Sequence, residues 1–374
     1  MPKILLIDFS TIANRCWHMM KSPGYLANTN SESVEFSRNL GKAAEVIKAR
    51  FNDYTLFVCA DSAVSWRRGV WESEYWRDIS KGSCSIEGKL YLPKDGNWFT
   101  TALAEDGSAY PFRKCDKEEI AAAKAHEKWE AGSWDKALEP AMRTFMGAYK
   151  GSRKDSIWNY TTEKKVQKQW IAAAAPRFAA TLDGGFVKCE TAEADDLVAW
   201  AVRNCPDCTV ISTDQDIAFS KTKGLGQLMD MAKASSLIDS EIIGPMDTAL
   251  VLKNAVRKVL GGDPGDDIGP CLTTDGKRCT PKEVEKLLEY GGDFMELIDE
   301  TTWDRNYKLI WLRDAGPLDE DIQEAFEKAF DLEKYGKLSW NLTDDERLMA
   351  MSDGLRLRNM DNNPLLWKSV VTED

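Results

Sequence analysis

The chain has 374 residues, enough for one large or two medium domains, and 43% of them are hydrophobic, so it can build a substantial core. Its net charge of −12 has the wrong sign for a protein that simply coats DNA, and no apolar run reaches the length of a membrane span. Nine cysteines, odd in number and irregularly spaced, fit a reducing cytoplasm rather than a disulfide framework, and MPKILLIDFS runs into an apolar segment without the pattern of a secretion signal.

Taken in order, KILLID (Lys3 to Asp8) is a short continuous apolar run, the pattern of a buried parallel strand. A helical pattern from Ser33 to Phe51 leads to a second such run, TLFVCAD (Thr55 to Asp61). Gly69 to Gly147 interrupts the alternation: it holds five of the fourteen tryptophans, and only Lys117 to Trp129 reads as helix. Thr161 to Thr181 is helical, FVKCE (Phe186 to Glu190) is a short strand, Ala192 to Val202 is helical, and CTVISTD (Cys208 to Asp214) is a further strand. After Gly244 the patterns are mostly helical, near Met246 to Leu260, Pro281 to Tyr290, Trp303 to Arg313 and Asp319 to Phe330. Strands alternating with helices predict an α/β fold with a central, mostly parallel sheet flanked by helices. We expect a first domain over residues 1–243, with an inserted segment at 69–170, and a helical region over 244–374.

Three strand patterns end in aspartate: Asp8, Asp61 and Asp214. The fourth runs into TAEADDLVAW, where Glu193, Asp195 and Asp196 crowd the start of an apolar helix. One or two acids there oppose the helix dipole. Three exceed that need and repel one another unless a shifted pKa or a cation relieves them. In an open parallel sheet the carboxyl ends of the strands share one edge, where ligands bind. The acids, together with Asp216 and with Asp263 and Asp266 in GGDPGDDIG, therefore read as an oxygen-rich site for hard divalent cations. Only two histidines, His18 and His126, are present, which disfavours histidine catalysis. Such carboxylate sites suit two-metal hydrolysis of phosphodiesters. One local reversal of charge stands out, though alone it reads as a solvated helix face: Arg143 to Gln169 holds seven basic residues against two acidic ones.

The segments LLIDFSTIANR, FVCADS followed by WRR, AYKGSR, TAEADD, STDQDI and GGDPGDDIG occur in this order between Ile4 and about Gly269. In that order they resemble the 5′-nuclease superfamily of flap endonucleases, polymerase 5′-nuclease domains and phage 5′→3′ exonucleases, and most of all the phage RNase H/5′-exonuclease type. The resemblance implies a PIN-like catalytic domain and a C-terminal helical region with a helix–turn–helix (H3TH-like) element that grips duplex DNA. It implies two or more Mg²⁺ ions, for which Mn²⁺ substitutes. Asp8, Asp61, Glu193, Asp195 and Asp196 match direct or water-mediated ligands of the first ion, and Asp214, Asp216, Asp263 and Asp266 match those of the second. Lys150 and Arg153 in AYKGSR, and Arg67, match phosphate contacts, and Tyr149 matches a base-stacking residue. Lys154, Lys164, Lys165 and Lys168 would line the passage of a single-stranded 5′ end, beside Trp158, Tyr160 and Trp170. The implied substrate is DNA or an RNA–DNA duplex with a 5′ end or flap. Implied partners are a single-strand-binding protein or sliding clamp, and the implied location is the cytoplasm, that of a bacterial host for a phage protein.

The pattern also departs from the family. STDQDI lacks the glycine and lysine of the common SGDKD, Phe9 replaces a common glycine, and GPCLTTDGKRC stands where a GIGxKTA hairpin is usual. A non-catalytic relative that binds branched DNA is therefore the alternative reading. A phosphatase of the HAD type, which needs DxD, is disfavoured because residue 10 is Ser10. Cys205 and Cys208 read as flanking a turn rather than holding zinc, Trp17 and Trp200 as core, both histidines as structural or surface residues, and Asp267 as a helix-start residue.

Overall fold

The computed structural model describes residues 3–21, 32–104, 110–129, 145, 162–205, 208–212, 214, 216–217, 228–230, 241–243, 248–312 and 316–329. Contacts divide the chain into two units. The first comprises Met1–Ser65, Tyr160–Leu252 and Leu312–Asp374, and the second Trp66–Asn159 and Lys253–Trp311.

The first unit is ordered around β1 (Lys3–Asp8), whose residues from Ile4 onward are all buried. With elements numbered along the chain, the six-stranded sheet runs β10 (Glu241–Ile243), β9 (Leu228–Asp230), β8 (Thr209–Ile211), β1, β2 (Tyr54–Cys59), β7 (Gly185–Val187). Every pairing is parallel except that of β9 with β10. The continuous apolar runs follow from this, because a parallel strand covered on both faces has no solvent side to make polar. Leu5 and Ile7 pack against α1 (Phe9–Lys21), α2 (Glu32–Arg50) and α5 (Thr162–Thr181). Ile4 and Leu6 pack on the other face, against α6 (Ala194–Asn204) and α10 (Asp319–Glu327). In that second layer Phe326 lies between Phe57 and Trp200, with ring centroids at 5.3 and 5.2 Å. The chain passes from β1 outward to β2 and β7 and then crosses to β8 on the opposite side of β1. The winding thus reverses between β1 and β8, which is where an open parallel sheet forms a ligand crevice at its carboxyl edge.

The second unit holds α3 (Trp66–Gly82), an antiparallel sheet, α4 (Lys117–Ala125) and a group of helices. The sheet runs β3 (Cys84–Ile86), β4 (Lys89–Lys94), β5 (Asn97–Ala102), β6 (Arg113–Lys114). Its first two hairpins turn on Glu87–Gly88 and Asp95–Gly96, each pair with positive φ at both residues. Two positive φ values suit the right-handed twist of the flanking strands and favour an Xaa-Gly pair. The helix α4 ends at Ala125, four residues before the sequence pattern does, because the capping residue His126 turns extended. Beyond Lys253 the unit takes the end of α7 (Thr248–Gly261), then α8 (Pro281–Glu289) and α9 (Glu300–Ile310). Trp71, Leu90 and Leu92 pack with Val259, Ile268, Leu309 and Ile310 into one core. The stretch between α7 and α8 is irregular, with a 3₁₀ turn at Pro264–Asp266 and isolated bridges Asp263 to Ile268 and Leu272 to Arg278. Among the described residues no helix is long and apolar enough to cross a membrane.

Candidate metal centre

Asp8 is the last residue of β1 and stands just before α1. It is 5% exposed. Its Oδ2 accepts hydroxyl hydrogen bonds from Thr11 (2.7 Å) and Ser212 (2.8 Å), and its Oδ1 accepts only a long one, from the N–H of Thr11 (3.4 Å). Burial pushes the Asp8 carboxyl up, the nearby Asp61 carboxylate pushes it further, and the Thr11 and Ser212 hydroxyls pull the other way; the result is about 6. An acid raised in this way is poised to gain from a cation, which removes the cost of holding its charge in the interior.

Asp61, two residues beyond β2, is exposed. Its Oδ2 accepts from the Ser10 hydroxyl (2.5 Å), and its Oδ1 accepts from the N–H of Ala194 (2.8 Å), the first residue of α6. A strand-end acid therefore satisfies an otherwise orphan donor of a helix 133 residues away. At the same helix start, Asp196, 9% exposed, accepts from the N–H of Glu193 through Oδ2 (2.9 Å). The crowding at TAEADD is thus partly helix capping, with negative charge set against the helix dipole. Asp195 is partly exposed on the first turn.

Across β1, Ile211 of β8 pairs with Ile7, so Ser212 follows one strand as Asp8 ends the other. Ser212 Oγ also accepts the N–H of Asp214 (3.1 Å), and Asp214 Oδ1 accepts the N–H of Asp216 (2.8 Å) in an Asx turn. Along one sheet edge, hydrogen bonds join Asp8 to Asp214 through Ser212 and Asp61 to the start of α6, while Ser10, two residues after Asp8, donates to Asp61. Among the described residues, however, no three acid, histidine or cysteine side chains stand grouped as a finished metal cage. The donors available are carboxylate and hydroxyl oxygens, which fit a hard divalent cation.

Two of the nine candidate acids lie in the second unit. Asp263 caps a short 3₁₀ turn, Pro264–Asp266, its Oδ1 accepting the N–H of Gly265 (2.9 Å) and its Oδ2 paired with Lys258 (2.8 Å). Asp266 ends that turn. Asp267 is not a helix-start residue: it closes the turn with a left-handed φ of 61°, a conformation its short polar side chain tolerates. Arg67, in the first turn of α3, is buried, with its guanidinium 5.3 Å from the Trp66 ring. Lys168 is exposed on α5, and the side chains of Lys164 and Lys165 on that helix lie outside the described residues, as do Tyr149, Lys150, Arg153, Lys154, Trp158 and Tyr160. Trp170 packs against Trp17 and Phe36, as part of the core rather than a stacking surface. Trp17 and Trp200 are core, His18 and His126 are exposed, and Cys208 donates its N–H to the Cys205 carbonyl (3.1 Å) across a turn. Sequence reasoning missed the hydroxyls of Ser10, Thr11 and Ser212. The available signal was that each lies two or three residues from a candidate acid.

No family model matches the chain, and no curated protein matches it. Two similar solved structures come from bacteriophage T5. One is a 5′-exonuclease with bound divalent metal ions (zinc), 14% identical, with a TM-score of 0.45. The other is a flap endonuclease described as a pseudo-enzyme–product complex with DNA and metal ions, 13% identical, with a TM-score of 0.43. Each match covers 89% of this chain and 96% of the other. Both scores are low, and the functional reading rests on the motifs and on the geometry of the sheet edge.

Proposed function

We propose that the chain is a divalent-metal-dependent 5′ nuclease that hydrolyses phosphodiesters at 5′ ends, flaps or RNA primers of DNA duplexes. The observation that carries this is the pair Asp8 and Asp61: two carboxylates at the ends of adjacent parallel strands, one of them buried and raised to about 6, beside the point where the winding reverses. The ordered motifs from LLIDFSTIANR to GGDPGDDIG supply the reaction class. In this reading Asp8, Asp61, Glu193, Asp195 and Asp196 hold one ion, directly or through water, and Asp214 and Asp216 hold a second; Asp263 and Asp266 are the candidate ligands of the other unit. Magnesium is the expected ion and manganese its substitute. Bound there, the ions supply positive charge that activates a water and stabilises the leaving oxygen.

The chain's own residues bind and orient. Lys150, Arg153 and Arg67 contact the phosphates, and Tyr149 stacks on a base. Lys154, Lys164, Lys165 and Lys168 line the path of a single-stranded 5′ end. The helical region grips duplex DNA, and a single-strand-binding protein or sliding clamp is the expected partner. A cytoplasmic location suits this set.

A second reading has its own observation. Oxygens of Asp61 and Asp196 are engaged by N–H groups at the start of α6, an arrangement that needs no metal. A non-catalytic relative that binds branched DNA would keep these acids for capping. Cleavage of a 5′-labelled flap duplex, with and without Mg²⁺, separates the two. The nuclease reading expects metal-dependent cutting that Asp196→Asn abolishes, with product lengths distinguishing exonuclease from flap cutting. Flap binding without cutting in Mg²⁺ or Mn²⁺ would establish the second reading.

A further inference from the structure

The Ser212 hydroxyl has one proton and two neighbours. Its oxygen accepts the N–H of Asp214, so its proton goes to Asp8 Oδ2. Thr11 donates to the same Oδ2. Two hydroxyls therefore fill the lone pairs of one carboxylate oxygen, and among the described residues Oδ1 receives the long bond from the Thr11 N–H alone. Ser212 is 1% exposed, so solvent does not compete for these bonds, and it sits on the β8 side of the reversal point, opposite Asp8 on β1.

We infer that Ser212 is a positioning residue of the metal centre: it presents Asp8 Oδ1 to a divalent cation and, through the same hydroxyl, holds the Asp214 turn at the sheet edge. This rests on the nuclease reading only in taking Asp8 as a metal ligand. The chemistry is that of an outer-sphere partner, which fixes a ligand's orientation while touching no ion itself; loss of such a partner commonly weakens metal binding about 10- to 100-fold. No single-residue pattern in the sequence marks Ser212 for this. It follows from one hydroxyl bonding to two candidate acids 206 positions apart, Asp8 and Asp214.

The test is Mn²⁺ binding to the full chain, followed by the electron paramagnetic resonance signal of the free ion, for wild type, Ser212→Ala and Ser212→Thr. Thermal melting in EDTA and flap cleavage across a Mn²⁺ titration are measured in parallel. We expect Ser212→Ala to bind Mn²⁺ on the order of tenfold more weakly and to need correspondingly more metal for cutting. Ser212→Thr, which keeps the hydroxyl, should recover most of that loss. Unchanged Mn²⁺ affinity in Ser212→Ala overturns the inference, and a lowered melting temperature at unchanged affinity does so by showing a merely structural role. A wild type that binds no Mn²⁺ overturns it as well. If wild type binds Mn²⁺ more tightly than Ser212→Ala yet cuts no flap, the positioning role stands and the nuclease reading falls.

Discussion

The two units hold their candidate acids by different means. In the first, local bonds such as that from Thr11 to Asp8 are joined by remote ones: Ser10 and Ala194 hold Asp61 across 51 and 133 positions, and Ser212 holds Asp8 across 204. In the second, Asp263 is held by Gly265 two residues on and Lys258 five residues back. The remote bonds exist only once the parallel sheet has formed, whereas those of Asp263 need only a local turn at the end of α7. Placement by tertiary structure fixes a carboxylate in relation to distant groups. Placement by a turn mainly satisfies the local backbone.

The largest expected effect follows directly. Asp8→Asn should lower flap cleavage on the order of 10³-fold, as for loss of a group that stabilises transition-state charge, with the circular dichroism of the fold unchanged. Asp263→Asn should lower it much less. Equal losses would erase the distinction between the two acid sets.

Next come the cores. Phe326→Ala, which removes a fully buried ring between Phe57 and Trp200, should cost about 3–5 kcal/mol in chemical denaturation. Trp71→Ala should cost a similar amount. Hydrogen exchange should show protection lost first around β1, β2 and α6 for the former and around β4 and α9 for the latter. A shared pattern would mean that the two units unfold as one.

Asp8 gives a pH signature in chelator. Its folded value of about 6 lies above the ordinary 3.8, so the protonated form is the one favoured by folding. This group's contribution is then complete below about pH 4 and is lost as pH rises through 6. A shift of this size corresponds to about 3 kcal/mol. Asp8→Asn should therefore raise the stability of the metal-free protein at pH 8, by at most about that amount, and change little at pH 3. Urea titrations at both pH values measure the difference, and a gain equal at both would reject the assignment.

The smallest effect concerns capping. Asp61→Ala leaves the N–H of Ala194 at the start of α6 without its acceptor and should cost about 1 kcal/mol of stability, a loss that added Mn²⁺ does not restore. Little or no loss would show that water replaces the carboxylate at that donor.

Much of the first unit is legible in the sequence because its strands are buried on both faces, and KILLID and TLFVCAD read as uninterrupted apolar runs. The helices α2, α5 and α6 are legible as long stretches of helix-forming residues between the strands, and α6 is buried over most of its length. The antiparallel sheet of the second unit was not identified, although KLYLPK-DG-NWFTTA carries an Asp95–Gly96 hairpin signal. Pro93, with Lys89, Lys94 and Trp98 among the apolar residues, obscured the alternation. The helix α3 was missed because charged residues are scattered along WRRGVWESEYWRDISKG without a clean apolar period; among its described side chains Trp71 is fully buried. The acids of the sheet edge were legible as strand ends. Their hydroxyl partners were not, because serine and threonine are common and only the closed sheet reveals which ones face a carboxylate. The return of Phe326 to the first unit was not legible either, since an amphipathic helix does not name the surface it covers.

The central claim is that the edge shared by β8, β1 and β2 binds divalent metal. A crystal of the protein soaked in Mn²⁺, with anomalous scattering recorded at the manganese edge, tests it most directly. The account predicts a manganese peak within bonding distance of Asp8, with Asp61 or Asp214 beside it. A well-ordered crystal with no peak there, or with manganese bound only elsewhere, would contradict it.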